Sequence, residues 1–118
     1  MKQYSHFFGV DVSKKTVDIT LAHNAELIHQ QFTNDDEGMA QLMEWLKELK
    51  PAFENTLFCM EATGLYCFPL TRFLAANSID IWIEHAAQIK KSTALARGKN
   101  DKVDSQRIAI YATKYLDR

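Results

Sequence analysis

The sequence predicts an α/β fold: a five-stranded mixed sheet, its first three strands antiparallel, flanked by helices. Three observations carry this prediction. β-branched and aromatic residues fall in five short runs. Short polar turns separate the first three runs, as in an antiparallel meander. The later runs alternate with stretches of helical periodicity, the order that builds parallel pairs through right-handed crossovers.

The opening stretch, His6 to Ala22 (HFFGVDVSKKTVDITLA), holds two strands around a polar turn. Phe7, Phe8, Val10 and Val12 precede Ser13-Lys14-Lys15, and Thr16, Val17, Ile19 and Thr20 follow it. A His23-Asn24 turn leads to a third strand over Ala25–Phe32. Asn34 is the expected N-cap of the first helix, with Glu37 completing a capping-box pattern. Asp35 and Asp36 fall in the first turn, where the helix dipole favours negative charge. Met39, Leu42, Met43, Leu46 and Leu49 recur at helical spacing, and the helix should end before Pro51. Thr56–Met60 is nearly continuously apolar, as a buried parallel strand would be, and it runs into Glu61-Ala62-Thr63-Gly64.

A second helix should cover Tyr66–Ala76, with Pro69 near its first turn, where proline is tolerated. Ile79–Ile83 reads as the fifth strand and His85–Leu95 as a helix. After the polar break Arg97-Gly98-Lys99-Asn100, a last helix starts near Asp101. Its face of Ile108, Tyr111, Ala112 and Tyr115 continues without a stop signal. The expectation is one domain over 1–118, the N-terminal part of a longer protein.

The length suits one hydrophobic core, and 47% apolar with 25% charged residues is an ordinary globular composition. No apolar run approaches the roughly 20 residues of a membrane span. Met1-Lys2-Gln3-Tyr4 lacks the apolar core of a signal peptide, so a cytoplasmic location is expected. Cys59 and Cys67 match no metal spacing and read as small buried residues in a reducing compartment. The net charge of −1 hides an asymmetry. Residues 1–87 carry 6 Lys/Arg against 12 Asp/Glu, and residues 88–118 carry 8 against 3. A polyanion partner for the basic third and a solvated basic helix explain this equally well.

Asp11 is a charge inside a strand, where an unpaired buried carboxylate is costly. In the predicted topology it ends the first strand beside Glu61, which ends the fourth. Like charges that close raise each other's pKa unless a cation lies between them. Asp101 and Asp104, three residues apart, share one face of the last helix. An oxygen-only set suits Mg²⁺ or Mn²⁺ rather than Zn²⁺. Two such ions about 3.5–4 Å apart are the usual apparatus for in-line attack on a phosphodiester. Taken singly, each acid also has a bland role, as turn former, solvated strand end or first-turn helix charge. Gly64, after Thr63, permits a tight turn or a close backbone approach. Lys90, Lys91, Arg97, Lys99 and Lys102 flank the paired aspartates, with Arg107 a turn further on. Lys14, with Ser13 and Lys15, borders the other side. Such groups would meet the phosphates of a nucleic acid. Among the histidines His6, His23, His29 and His85, only His85 falls near this site.

With those residues in place, the chain resembles the N-terminal domain of the DEDD transposases, insertion-sequence enzymes that include the Piv-type DNA invertases. Gly9–Lys14 (GVDVSK) follows the family's G-[IV]-D-[VI]-[SA]-K, and Glu61–Tyr66 (EATGLY) follows E-x-T-G-x-Y. Lys99–Ala112 (KNDKVDSQRIAIYA) follows K-[TN]-D-x-x-D-A-x-x-[IL]-A-x-[YL], with Ser105 where Ala is usual, a small-for-small change. The resemblance implies a ribonuclease H-like (RuvC-like) fold from a bacterial or archaeal source. It implies catalytic, metal-binding roles for Asp11, Glu61, Asp101 and Asp104, with Mg²⁺ as cofactor and Mn²⁺ as substitute. DNA, a structured guide RNA and a homo-oligomer are the implied partners. Family members continue into a second domain with a serine nucleophile, so this fragment alone should be inactive. Two other readings compete. An actin-like ATPase or sugar kinase shares the fold, but the chain has only 4 glycines, no Gly-Gly phosphate loop, and no use for the paired aspartates. A non-catalytic RNA- or DNA-binding scaffold would leave the carboxylates solvated.

Overall fold

The computed structural model describes residues 4–61, 64–84 and 101–115. The elements run β1 (His6–Val12), β2 (Thr16–His23), β3 (Glu26–Thr33), α1 (Asp36–Leu49), β4 (Thr56–Glu61), α2 (Phe68–Ala76), β5 (Asp80–Glu84) and α3 (Asp101–Tyr115). One 3₁₀ turn precedes β4 and another, Gly64–Cys67, precedes α2. The strands form one sheet in the order β3-β2-β1-β4-β5. β1–β2 and β2–β3 are antiparallel, and β1–β4 and β4–β5 are parallel. This is the mixed sheet the sequence predicts. The predicted helix over His85–Leu95 lies outside the described residues.

Local chemistry moved two boundaries. The β2–β3 turn falls one residue later than expected, at Asn24-Ala25, with left-handed φ of 52° and 67°. Asn suits that backbone and makes the hairpin's tight reversal possible. The N-cap of α1 is Asp35, not Asn34. Its Oδ1 accepts from Gly38 N at 2.8 Å and from Thr33 Oγ1 at 2.7 Å. Those bonds to the ionised form, the Gly38 one foremost, hold its carboxyl below the usual range. Asn34 could serve as a cap by type, but its side chain is engaged elsewhere.

Strand alternation sorts the sheet into two unlike faces. Phe8, Val10, Val12, Val17, Ile19, Leu21, Phe58 and Met60 point to one face and are buried there against Met39, Leu42 and Leu46 of α1 and Leu70 and Leu74 of α2. Phe8 stacks on Phe58 at 4.5 Å and meets Trp45 edge-on at 5.9 Å. Each such side chain contributes about 1.5–3 kcal/mol by leaving water, which makes this face the main source of stability.

The other face is covered by α3 across β1 and β2. Here the contact is made by small residues. A Cβ on Gly9 would lie 2.6 Å from Ala109 Cα and closer still to Ala109 N and Ser105 O, so only glycine admits the helix backbone. The Ser105 and Thr20 hydroxyls are buried and 2.7 Å apart. Cys59, Ile108, Tyr111 and Ala112, with Phe7 and Trp82, form a smaller apolar cluster beside them. Ser105 packs at Gly9, while Ile110 and Thr113 wall a groove with Ser5, Phe7 and Ala22. The helix therefore descends from the carboxyl end of β1 towards its amino end. Among the described residues, no helix is long and apolar enough to cross a membrane.

Candidate metal centre

The β1–β4 ladder pairs His6 with Thr56 and continues to Val10 with Met60. Asp11 and Glu61 are the next residues on the two strands, both half-buried. Alternation puts them on the α3 face, in line with Gly9 and Cys59. Both lie just past the β1–β4 ladder and are only half-buried, which lowers the cost of placing charge there.

Sequence reasoning missed two more acids on this face. Glu84 ends β5 in register with Glu61, and it accepts a 2.9 Å bond from the hydroxyl of buried Tyr111. The Cys59 thiol reports both glutamates. Burial first, then the charges of Glu84 and Glu61, push its pKa to about 12. Asp18 lies opposite Asp11 in the β1–β2 ladder and is 1% exposed. It accepts from His29 Nε2 at 2.7 Å and from Gln31 Nε2 at 3.2 and 3.4 Å. The signal for Asp18 was in the sequence, because counting in twos on either side of the Ser13–Lys15 turn brings it opposite Asp11. Glu84 gave no such signal; it looked like the polar end of an apolar strand.

Asp101 and Asp104 occupy the first turn of α3, on the carboxyl side of the Ser105–Gly9 contact. Their side chains, like that of Lys102, lie outside the described residues. The structure therefore brings Asp11 and Glu61 side by side and turns the start of α3 to the same end of the sheet. Among the described side chains, no three His, Cys, Asp or Glu groups are placed to share an ion.

Of the basic residues, Lys14 and Lys15 are exposed in the β1–β2 turn. Ser13 builds that turn, its hydroxyl donating to Thr16 O at 3.0 Å. Arg107 is half-buried on α3 rather than presented on an open face. Thr63, His85, Lys90, Lys91, Arg97 and Lys99 lie outside the described residues, and Gly64 sits in the 3₁₀ turn before α2.

A family model described as transposase, that of the DEDD enzymes of IS110 type, matches residues 8–117. The chain belongs to the DEDD transposase family. It is similar to the pilin gene-inverting protein of Moraxella bovis, 29% identical over 112 residues, which cover 92% of this chain and 34% of that protein. The chain thus spans about a third of that relative's length. In structure it is similar to T. thermophilus RuvC, solved in complex with a Holliday junction substrate. That likeness has a TM-score of 0.72 at 10% identity and covers 97% of this chain and 96% of the other. A Bacteroides thetaiotaomicron protein with an actin-like ATPase fold matches at a TM-score of 0.51 and 18% identity, over 70% of this chain and 33% of that one. The DEDD transposase fold seen here is therefore RuvC-like, a five-stranded mixed sheet with flanking helices.

The DEDD transposase chain offers a hard-donor set at the carboxyl end of its sheet. Asp11 and Glu61 supply oxygen, while burial and then the charges of Glu84 and Glu61 push the neighbouring Cys59 thiol up to about 12. Carboxylate oxygens are hard donors of the kind that suit Mg²⁺ or Mn²⁺.

Proposed function

We propose that the chain is the N-terminal catalytic domain of a longer DNA transposase or recombinase. In this reading Asp11, Glu61, Asp101 and Asp104 hold a divalent cation, Mg²⁺ with Mn²⁺ as substitute, and DNA is the substrate. The observation that carries it is the position of Asp11 and Glu61, each one residue beyond the last β1–β4 pair, with α3 running towards the same end of the sheet. When bound, the ion would activate the attacking oxygen and stabilise the leaving oxygen of a phosphodiester. The residues do the rest. Asp11 and Glu61 are fixed by the sheet, so little reorganisation is needed to present their oxygens. The close contact at Gly9 would set how α3 seats, and with it the turn that carries Asp101 and Asp104. Lys14 and Lys15 stand exposed where a phosphate backbone would pass, and Lys90, Lys91, Arg97, Lys99 and Lys102 would extend that track, whereas half-buried Arg107 would sit behind it. A guide RNA would use the same basic groups, and a homo-oligomer would supply the second DNA end.

Titrating the 118-residue chain with Mn²⁺, followed by proton relaxation, tests the site. Asp11→Asn and Asp104→Asn should each weaken binding roughly ten-fold or more. Equal, weak binding in all three proteins would overturn the four-carboxylate reading and leave the scaffold reading standing.

A further inference from the structure

We propose that Asn34 is a positioning residue that ties the segment after Asp11 to the segment after Glu61. Its Nδ2 donates to Ser13 O and to Tyr66 O, both at 2.9 Å. Ser13 lies two residues beyond Asp11, and Tyr66 five beyond Glu61. The β1–β4 ladder ends at Val10–Met60, so past that pair the sheet no longer joins the two chains. Asn34 bridges them where the ladder stops.

The amide can take only one orientation here. Both partners are carbonyls, which accept and never donate, so a flipped amide would set its oxygen against two oxygens. Asn34 Oδ1 is left buried with no hydrogen-bond partner among the described residues. A side chain that leaves its own acceptor unsatisfied to place both N–H bonds is committed to those two carbonyls. Its backbone is fixed separately, because Asn34 N donates to Lys15 O at 2.9 Å. A change of side chain therefore removes the bonds to Ser13 O and Tyr66 O, but the backbone bond still holds residue 34 to the β1–β2 turn, so it is the loop carrying Tyr66 that is released. The neighbouring Asp35 caps α1, so the two residues divide the work: one closes the helix and the other holds the two loops.

The geometry stands alone, while its effect on ion binding rests on the metal reading above. Two measurements keep these apart. Amide hydrogen exchange of the 118-residue chain is compared among wild type, Asn34→Asp, Asn34→Gln and Asp35→Ala. Asn34→Asp preserves size and removes both donors; it should speed exchange over residues 66–68 roughly ten-fold or more. Asp35→Ala should leave that segment unchanged, and Asn34→Gln, which retains the donors, should recover part of the protection. Unchanged exchange at residues 66–68 in Asn34→Asp, or an equal rise in Asp35→Ala, overturns the tie. Mn²⁺ titration of the same proteins, with Asp11→Asn beside them, reads the consequence. Asn34→Asp should bind roughly ten-fold more weakly, and Asp35→Ala within about two-fold of wild type. If wild type binds and Asn34→Asp binds as well, the positioning role is overturned. If wild type binds no better than Asp11→Asn, the metal reading fails, and the exchange result still decides the tie.

Discussion

Phe8 and Gly9 are consecutive residues on β1 that face opposite ways and need opposite surroundings. Phe8 points to α1 and α2, where bulk is what counts: it is wholly buried, stacked on Phe58 and met edge-on by Trp45. Gly9 points to α3, where the absence of bulk is what counts, because helix backbone occupies the space of a Cβ. The first face holds the larger apolar core, and the second combines close Ser, Thr, Ala and Gly contacts with a smaller apolar cluster around Ile108 and Tyr111, and is rimmed by carboxylates. The difference separates two tasks. One face holds the sheet together, and the other holds α3 at a fixed height and azimuth over the strand ends. Stability and site geometry can therefore be perturbed apart, and four substitutions show how.

Phe8→Ala should have the largest effect on stability, about 3–5 kcal/mol in chemical denaturation, because the stacked and edge contacts collapse into a cavity. The folded fraction should still bind Mn²⁺ with affinity close to wild type. A loss of affinity beyond the loss of folded protein would mean that the two faces are not independent. Gly9→Ala should cost less stability, about 1–3 kcal/mol or somewhat more, through overpacking against backbone that cannot rotate away. Its effect on ion binding should be the larger of the two, since α3 must lift or slide, and with it Asp101 and Asp104. The crossing of these two orders is the test: stability falls most in Phe8→Ala, and Mn²⁺ affinity falls most in Gly9→Ala.

Thr20→Val makes a finer cut on the α3 face. It removes the hydroxyl that pairs with Ser105 and leaves volume almost unchanged. The expected loss is about 1 kcal/mol for a buried hydrogen bond, detected as a small fall in urea midpoint. No change would mean that the Gly9 contact and the cluster around Ile108 and Tyr111 seat the helix without this bond. This contact also bears on Ser105. The sequence treats Ser105 as a small-for-small exchange with Ala, but in the structure its hydroxyl meets Thr20 across the helix–sheet interface.

What the sequence could show follows from how local each signal is. The five strands, α1 and α3 were legible because periodicity and capping are read within a dozen residues. Asp11 and Glu61 were legible as neighbours because parallel strands joined by right-handed crossovers have few places to lie. The rest depended on registers that a sequence does not print. The cap of α1 had two candidates of suitable chemistry, Asn34 and Asp35; Thr33 Oγ1 and Gly38 N selected Asp35, and two distant carbonyls claimed Asn34. Glu84 joined the carboxylate end through pairing with Glu61, a partner twenty-three residues away, whereas Asp18, seven residues from Asp11 in one hairpin, was legible and missed. Non-local pairing hides polar residues whose neighbours give no reason for them.

The smallest effect lies at the far end of β1, where the comparison should break down in an informative way. His6 stacks on His23 at 4.1 Å and 10°, and its ring accepts or shares a proton with Ser5 Oγ at 2.8 Å. Burial, then the neighbouring His23, lowers its pKa below the ordinary 6.5. A base depressed by folding takes up its proton at a lower pH in the native state than in the unfolded chain, which protonates as pH falls through 6.5. The unfolded state then binds more protons, so stability should decline as pH drops below that value. Urea midpoints at about pH 5 and about pH 7.5 should differ in wild type, and the difference should shrink in His6→Gln. An undiminished difference in His6→Gln would assign the acid sensitivity elsewhere. The stack lies at the amino end of β1 and the carboxylates at its carboxyl end, so His6→Gln should leave Mn²⁺ affinity at about pH 7.5 untouched. A shift in both would show that β1 transmits along its length what it keeps apart across its two faces.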